Sequence, residues 1–186
     1  MIYPITVYGD PVLRKVAEPV EKDFEGLKEF IDNMFDTMYH SDGVGLAAPQ
    51  VGKALRIFVI DASPVADEEP ELKDFKKVFI NPEILERHGD EWIMNEGCLS
   101  LPDIREDVTR PAYVKIKYRD ENFEEHMEEY SGFAARVIQH EYDHLDGILL
   151  IDYLTPLKKR LLKGKLTAIS KGKVKTSYQI IIPGKK

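Results

Sequence analysis

The sequence predicts an α+β fold in which antiparallel sheets pack around a central helix, in a single domain that spans residues 1–186. Three observations carry that expectation. Two stretches repeat apolar residues at helical spacing, several shorter stretches read as strands bounded by turn residues, and the length suits one hydrophobic core. No internal repeat and no linker divides the chain.

The elements follow in order. Over residues 24–39, Phe24, Leu27, Phe30, Ile31, Met34, Phe35 and Met38 fall on one helical face, the pattern of core packing rather than of a methionine-rich site. Strands are expected at 55–61, 77–81, 90–101, 112–119 and 123–130, and Arg119-Asp120-Glu121-Asn122 reads as the turn of a hairpin. Ala62 to Asp74 is rich in Pro and acid and reads as a solvated loop. The central helix is expected at 132–146, with Phe133, Val137, His140 and His144 on one stripe and Gly147 as a stop. A short helix follows at 156–164, and Tyr178 to Ile182 reads as a final strand.

Composition narrows the function classes. No apolar run approaches the roughly 18 residues of a membrane span, and the start Met-Ile-Tyr-Pro lacks the basic end and apolar core of a signal peptide, so no membrane role and a cytoplasmic location are expected. A single cysteine excludes an internal disulfide framework. Charge is uneven: ten Lys and Arg and no acid lie in the basic C-terminal segment 153–186, so within the total of −7 the first 152 residues hold −17. Such a tail either meets an anionic partner or packs on the acidic body.

The densest chemistry lies at Gln139-His140-Glu141-Tyr142-Asp143-His144. Positions i and i+4 share a helix face, so His140 and His144 can hold one divalent cation while Glu141 stands close enough to act as base on a water there. This would make the central helix a metal-binding helix. Such pairs also occur on solvated helices, and a catalytic metal needs a third protein ligand. No Glu follows Glu141, and Leu150 stands where the extended histidine pattern of some metalloproteases needs its last His. The candidates are then His40, His88, His126, the carboxylates and Cys98, although a lone cysteine is commonly a small buried hydrophobe.

Two further segments bear on the choice. Asn95-Glu96-Gly97-Cys98-Leu99-Ser100-Leu101-Pro102 presents the thiol on a short extended piece bracketed by Gly and Pro. Gly43-Val44-Gly45-Leu46-Ala47-Ala48-Pro49-Gln50 allows another backbone to approach and ends in an amide that can donate. It lacks the spacing of the phosphate-cradling glycine motifs, so no nucleotide cofactor is expected.

Taken together, Gly43 to Gln50, Glu96 to Ser100 and Gln139 to His144 closely resemble the three signature motifs of the peptide deformylases, in the same order and without departure, over about residues 1–155. The resemblance implies a metallohydrolase that removes the formyl group from the N-terminal formylmethionine of newly made chains. It implies Cys98, His140 and His144 as ligands of one divalent metal, Fe2+ in the cell, with Zn2+, Ni2+ or Co2+ possible in preparations. Glu141 is the implied general base, and Gln50 with the Leu99 N–H the implied oxyanion donors. Peptides of the family pair with backbone near the first and second motifs, which implies a substrate strand along Gly43, Gly45, Glu96 and Gly97. Met94, Phe133, Arg136 and Val137 match the methionine pocket, with the Arg136 guanidinium expected over its rim and only its stem in contact. Arg105 is expected to anchor Glu96 or steady the loop. Lys158, Lys159, Arg160, Lys163 and Lys165 are candidate contacts to ribosomal RNA, although the expected final strand differs from relatives that end in a long helix. The rival readings are a metallopeptidase that uses the histidine motif on internal bonds, and a non-catalytic metal-binding relative.

Overall fold

In the computed structural model, which describes residues 1–185, seven strands and three longer helices alternate along the chain. Strand β1 (Ile5–Thr6) precedes helix α1 (Leu27–His40); β2 (Gly45–Ala47), β3 (Ile57–Asp61), β4 (Lys76–Cys98), β5 (Leu101–Arg119) and β6 (Glu125–Tyr130) follow. Helix α2 (Gly132–Leu145), helix α3 (Pro156–Ser170) and β7 (Ile180–Ile181) complete it. The fold is α+β, as the sequence predicts, and no described helix is long and apolar enough to cross a membrane.

Strands β2 to β6 form one antiparallel sheet in chain order. The second sheet corrects the expectation of antiparallel pairing throughout, because β7 returns from the far end of the chain and pairs parallel with β1, Ile5 opposite Ile180. Strand β3 shows why two helices are needed. All five of its residues are buried, and successive side chains alternate between faces. Phe58 and Ile60 join the cluster that holds Ala134, Ala135 and Ile138 of α2, whereas Ile57 and Val59 join the one that holds Phe30, Met34 and Met38 of α1. The sheet is thus covered by α2 on one face and α1 on the other. A third cluster packs Leu166 and Ile169 of α3 on Leu101, Ile104 and Val108 of β5.

Several boundaries differ from expectation, each for a local reason. Helix α1 begins after Gly26, whose φ of 75° is left-handed, so Phe24 lies outside the helix and is 39% exposed. The strands expected at 77–81 and 90–101 are one strand with register shifts, because the segment from Glu83 to Glu91 has no buried residue and shows no alternation to read. Its partner β5 accordingly begins at Leu101 rather than at 112. Residues 62–74 contain two short 3-10 turns, Ser63–Val65 and Pro70–Leu72, each entered through a proline, and Leu72 is buried. Helix α3 continues through Gly164 to Ser170 because Leu166 and Ile169 hold its second half on the core. The final strand keeps only Ile180 and Ile181 of the expected segment.

Candidate metal centre

Helix α2 presents His140 and His144 one turn apart, their ring centroids separated by 5.3 Å and their planes crossed at 74°. Cys98 reaches them from the end of β4. There the ladder to β5 slips, from Gly97 opposite Arg105 to Cys98 opposite Leu101, and the thiol turns toward the helix. Its Sγ lies 3.4 Å from His144 Nε2, and the ligand atoms of Cys98, His140 and His144 all stand within 4.8 Å of one another. The other histidines lie elsewhere: His126 pairs with Asp120 and His88 with Glu129 at the sheet edge, and His40 is exposed.

The donor set fits a metal. A thiolate and two imidazoles suit zinc, iron and similar cations, and three protein donors leave room for a ligand from outside. His140 is prepared for such a role because its Nδ1 is 2.8 Å from Glu96 Oε1, which fixes the ring and leaves Nε2 as the ligand atom. Among the described residues, His144 Nδ1 is buried without a partner. Burial opposes the charged form of both rings. At His140 the hydrogen bonds with Cys98 and Glu96 prevail and hold the pKa well above the ordinary range; at His144 burial and the charges of His140 and Arg110 hold it well below.

Behind His140 lies a buried charge network centred on Glu96. Arg110 grips it in bidentate fashion, Nε to Oε2 at 2.8 Å and Nη2 to Oε1 at 3.0 Å, while its Nη1 reaches Asp143 Oδ2 at 2.8 Å. The Tyr153 hydroxyl also donates to Asp143 Oδ2, at 2.7 Å. Burial alone would raise the pKa of Glu96, but the hydrogen bonds from His140 and Arg110 outweigh it and bring it down to about 2. Arg136 Nη1 adds a bond to Glu96 Oε2 at 2.9 Å, and its Nη2 donates to the Trp92 carbonyl at 2.7 Å. This corrects the expectation for Arg136: its guanidinium is buried beneath the pocket, held by carboxylate and carbonyl oxygens, and does not lie over the rim. Arg105 does not anchor Glu96 either. It bonds Asn95 Oδ1 and the Asn95 carbonyl, steadying the segment before Cys98, and Arg110 takes the role that the sequence reading gave it.

The acid–base and donor groups lie close by. Glu141 is 4% exposed, its Oε2 has no hydrogen-bond partner among the described residues, and burial pushes its pKa up to about 7 against the pull of His140. Gln50 sits in a 3-10 turn, Ala48–Val51, where its Oε1 accepts the Ala47 N–H at 3.0 Å. That bond orients the amide so that Nε2 faces Ser100 Oγ at 3.3 Å and Cys98 Sγ at 3.6 Å. A cavity of about 580 Å³ opens over these groups, and Gly43, Gly45, Met94, Glu96, Gly97, Leu99, Arg105, Phe133, Arg136 and Val137 all line it. Gln50, Cys98, His140 and Glu141 line it too, whereas His144 is buried beneath. Sequence reasoning missed Arg110, Asp143 and Tyr153. Asp143 lies inside the histidine motif, but nothing local in the sequence marks Arg110 or Tyr153.

Comparison with known proteins agrees with this geometry. The polypeptide deformylase family model matches residues 2–160. The chain belongs to the polypeptide deformylase family. It is 56% identical to the peptide deformylase of Christiangramia forsetii, over 100% of this chain and 98% of the relative, and 55% identical to that of Cytophaga hutchinsonii over the whole of both. Among solved structures, the peptide deformylase of Legionella pneumophila superposes with a TM-score of 0.81 at 41% identity, covering 93% of this chain and 98% of that one. That of Thermotoga maritima gives 0.75 at 48% identity, with 84% and 99% covered. As a deformylase-family chain, this protein carries all three signature segments around one cavity.

Proposed function

We propose that this protein is a metal-dependent hydrolase that converts a formyl-Met peptide and water into formate and a free Met peptide. The observation that carries the reading is the convergence of Cys98, His140 and His144 beneath a cavity flanked by Glu141 and Gln50. A divalent cation held by those three residues supplies Lewis acidity, which makes a water nucleophilic near neutral pH and polarises a carbonyl. In the cell this cation is ferrous iron, with zinc, nickel or cobalt as substitutes, since thiolate and imidazole accept all of them.

The remaining work falls to the protein. Glu141, with a pKa of about 7, takes a proton from the attacking water and returns it to the departing amine as the C–N bond breaks. Gln50 Nε2 and the Leu99 N–H donate to the oxyanion, a role in which one donor is worth about 2.7 to 4 kcal/mol of barrier. The peptide lies extended along Gly43, Gly45, Glu96 and Gly97, and its methionine side chain enters the pocket of Met94, Phe133 and Val137, above the Arg136 stem. Glu96 and Arg105 act indirectly, by holding His140 and the segment before Cys98. The substrates are nascent N-formylmethionyl peptides in the cytoplasm.

The basic segment 153–186 is a candidate ribosome contact. Lys158, Lys159, Arg160, Lys163 and Lys165 are exposed on α3, and Lys158 also pairs with Glu106 at 2.8 Å. Contact with ribosomal RNA would show as co-sedimentation that falls steeply with salt. The catalytic reading is tested by formate release from a formyl-Met tripeptide beside its acetylated twin and an unblocked longer peptide. Formate from the first alone supports deformylation; cleavage of internal bonds would favour a metallopeptidase, and no turnover with metal bound a non-catalytic relative.

A further inference from the structure

The family match ends at residue 160, yet Lys175, Thr176, Ser177 and Tyr178 form one wall of the same cavity. The chain reaches that wall by a constrained path. After α3 it reverses at Gly172, whose φ of 69° is left-handed and favours glycine; a Cβ there would lie 2.4 Å from Ile182 Cδ1, so the returning segment closes tightly on the turn. Beyond the wall, the Ile5 N–H donates to the Gln179 carbonyl at 2.8 Å, and β7 pairs with β1. Residues 175–178 are therefore fixed at both ends. In the middle, Tyr178 is half-buried beside Leu99 and its hydroxyl donates to the Leu99 carbonyl at 2.8 Å.

Leu99 lies in the turn between β4 and β5, and its N–H makes none of the backbone hydrogen bonds of the described residues. Its carbonyl and that of the next residue are both held from outside the turn, the first by Tyr178 and the second by the Tyr8 N–H at 2.9 Å. A Cβ on Gly43 would stand 3.2 Å from Leu99 Cδ1, so the Leu99 side chain is confined from the third side. We infer that Tyr178 is a positioning residue: the C-terminal return uses its hydroxyl to fix the Leu99 backbone so that the Leu99 N–H meets the developing oxyanion without reorganisation. The inference rests on the deformylase reading for the role of that N–H, and its physical basis is that such donors act through preorganisation.

The test is Tyr178→Phe, which keeps the ring and removes the donor. Two readouts are taken on the zinc-loaded protein: kcat and KM for formate release from a formyl-Met tripeptide, and hydrogen exchange of the Leu99 amide by NMR. The expected result is a fall in kcat of about three- to ten-fold, the size of one lost hydrogen bond, with KM within about two-fold and faster exchange at Leu99. An unchanged kcat overturns the inference, as does a raised KM at constant kcat, which would make Tyr178 a binding contact. A lower kcat with an unchanged Leu99 amide overturns it as well. If the wild-type protein releases no formate, the deformylase reading fails, and an unaltered Leu99 amide in the variant would separately show that Tyr178 does not fix this turn.

Discussion

Gly45 and Glu141 touch across the cavity: a Cβ added to Gly45 would lie 2.6 Å from Glu141 Oε1 and 2.9 Å from its Cγ. Glu141 is buried in the helix beneath, and a Cβ on Gly45 would take the space that its carboxylate now occupies at the cavity wall. The glycine therefore serves the carboxylate as well as any approaching backbone. Gly45→Ala should displace Glu141 while leaving the Cys98, His140 and His144 donors in place. Since misplacing a reacting group by about 1 Å can cost about 100-fold, kcat/KM for formate release should fall by about that factor with metal content unchanged. Wild-type activity in the variant would mean that Glu141 does not work from this position.

Arg110 is the sole cation that joins Glu96 to Asp143 among the described ion pairs. Arg110→Met fills similar volume but leaves two buried carboxylates without it. Removing one member of such a buried network costs about 3 to 5 kcal/mol, which lowers the melting temperature of a chain this size by about 10 °C. Calorimetry of the two proteins checks this, and a change within about 2 °C would contradict it.

Glu96 sets an acid limit for the metal-free protein. Its folded pKa of about 2 lies below the ordinary 4.5, so the folded state holds the proton more weakly than the unfolded state does. Its stabilisation is present above pH 4.5 and is lost as pH falls toward 2. In denaturant titrations, the stability gap between wild type and Glu96→Gln should narrow by about 3 kcal/mol across that window. A gap independent of pH would show that Glu96 titrates normally.

Gly164 sits inside α3, and none of the described residues comes within 4 Å of where a Cβ would stand. Gly164→Ala should stabilise the protein by about 0.5 to 1 kcal/mol by restricting the unfolded chain, with formate release unaltered. A loss of stability on unfolding by urea would contradict the open helical setting.

What the sequence disclosed follows from which forces are local. His140 and His144 were legible because helical spacing alone places them together, and α1 was legible because Phe30, Ile31, Met34, Phe35 and Met38 repeat on one face. Cys98 and Gln50 could be assigned only through the family motifs, since nothing near either residue says what it faces. Arg110 and Tyr178 were missed for a different reason. Each meets partners many residues away, Arg110 through the pairing of β4 with β5 and the packing of α2 on it, Tyr178 through the return of the chain to β1, and no local pattern encodes either crossing. Arg136 misled because an arginine at a pocket position usually keeps its charge in water; here Glu96, the Val108 carbonyl and the Trp92 carbonyl replace the water. The stretch of β4 from Glu83 to Glu91 was unreadable because none of its residues is buried and it has no apolar alternation to show.

The measurement that bears most directly on the account is formate release by Glu141→Ala, loaded with ferrous iron under anaerobic conditions, read beside its metal content. Glu141 is not a ligand in this geometry, so the variant should bind one metal per chain as the wild type does, while turnover falls by at least about 100-fold, the lower bound for losing a positioned general base. Formate release at the wild-type rate, or loss of the metal along with the carboxylate, would contradict the division of roles between Glu141 and the Cys98, His140 and His144 donors.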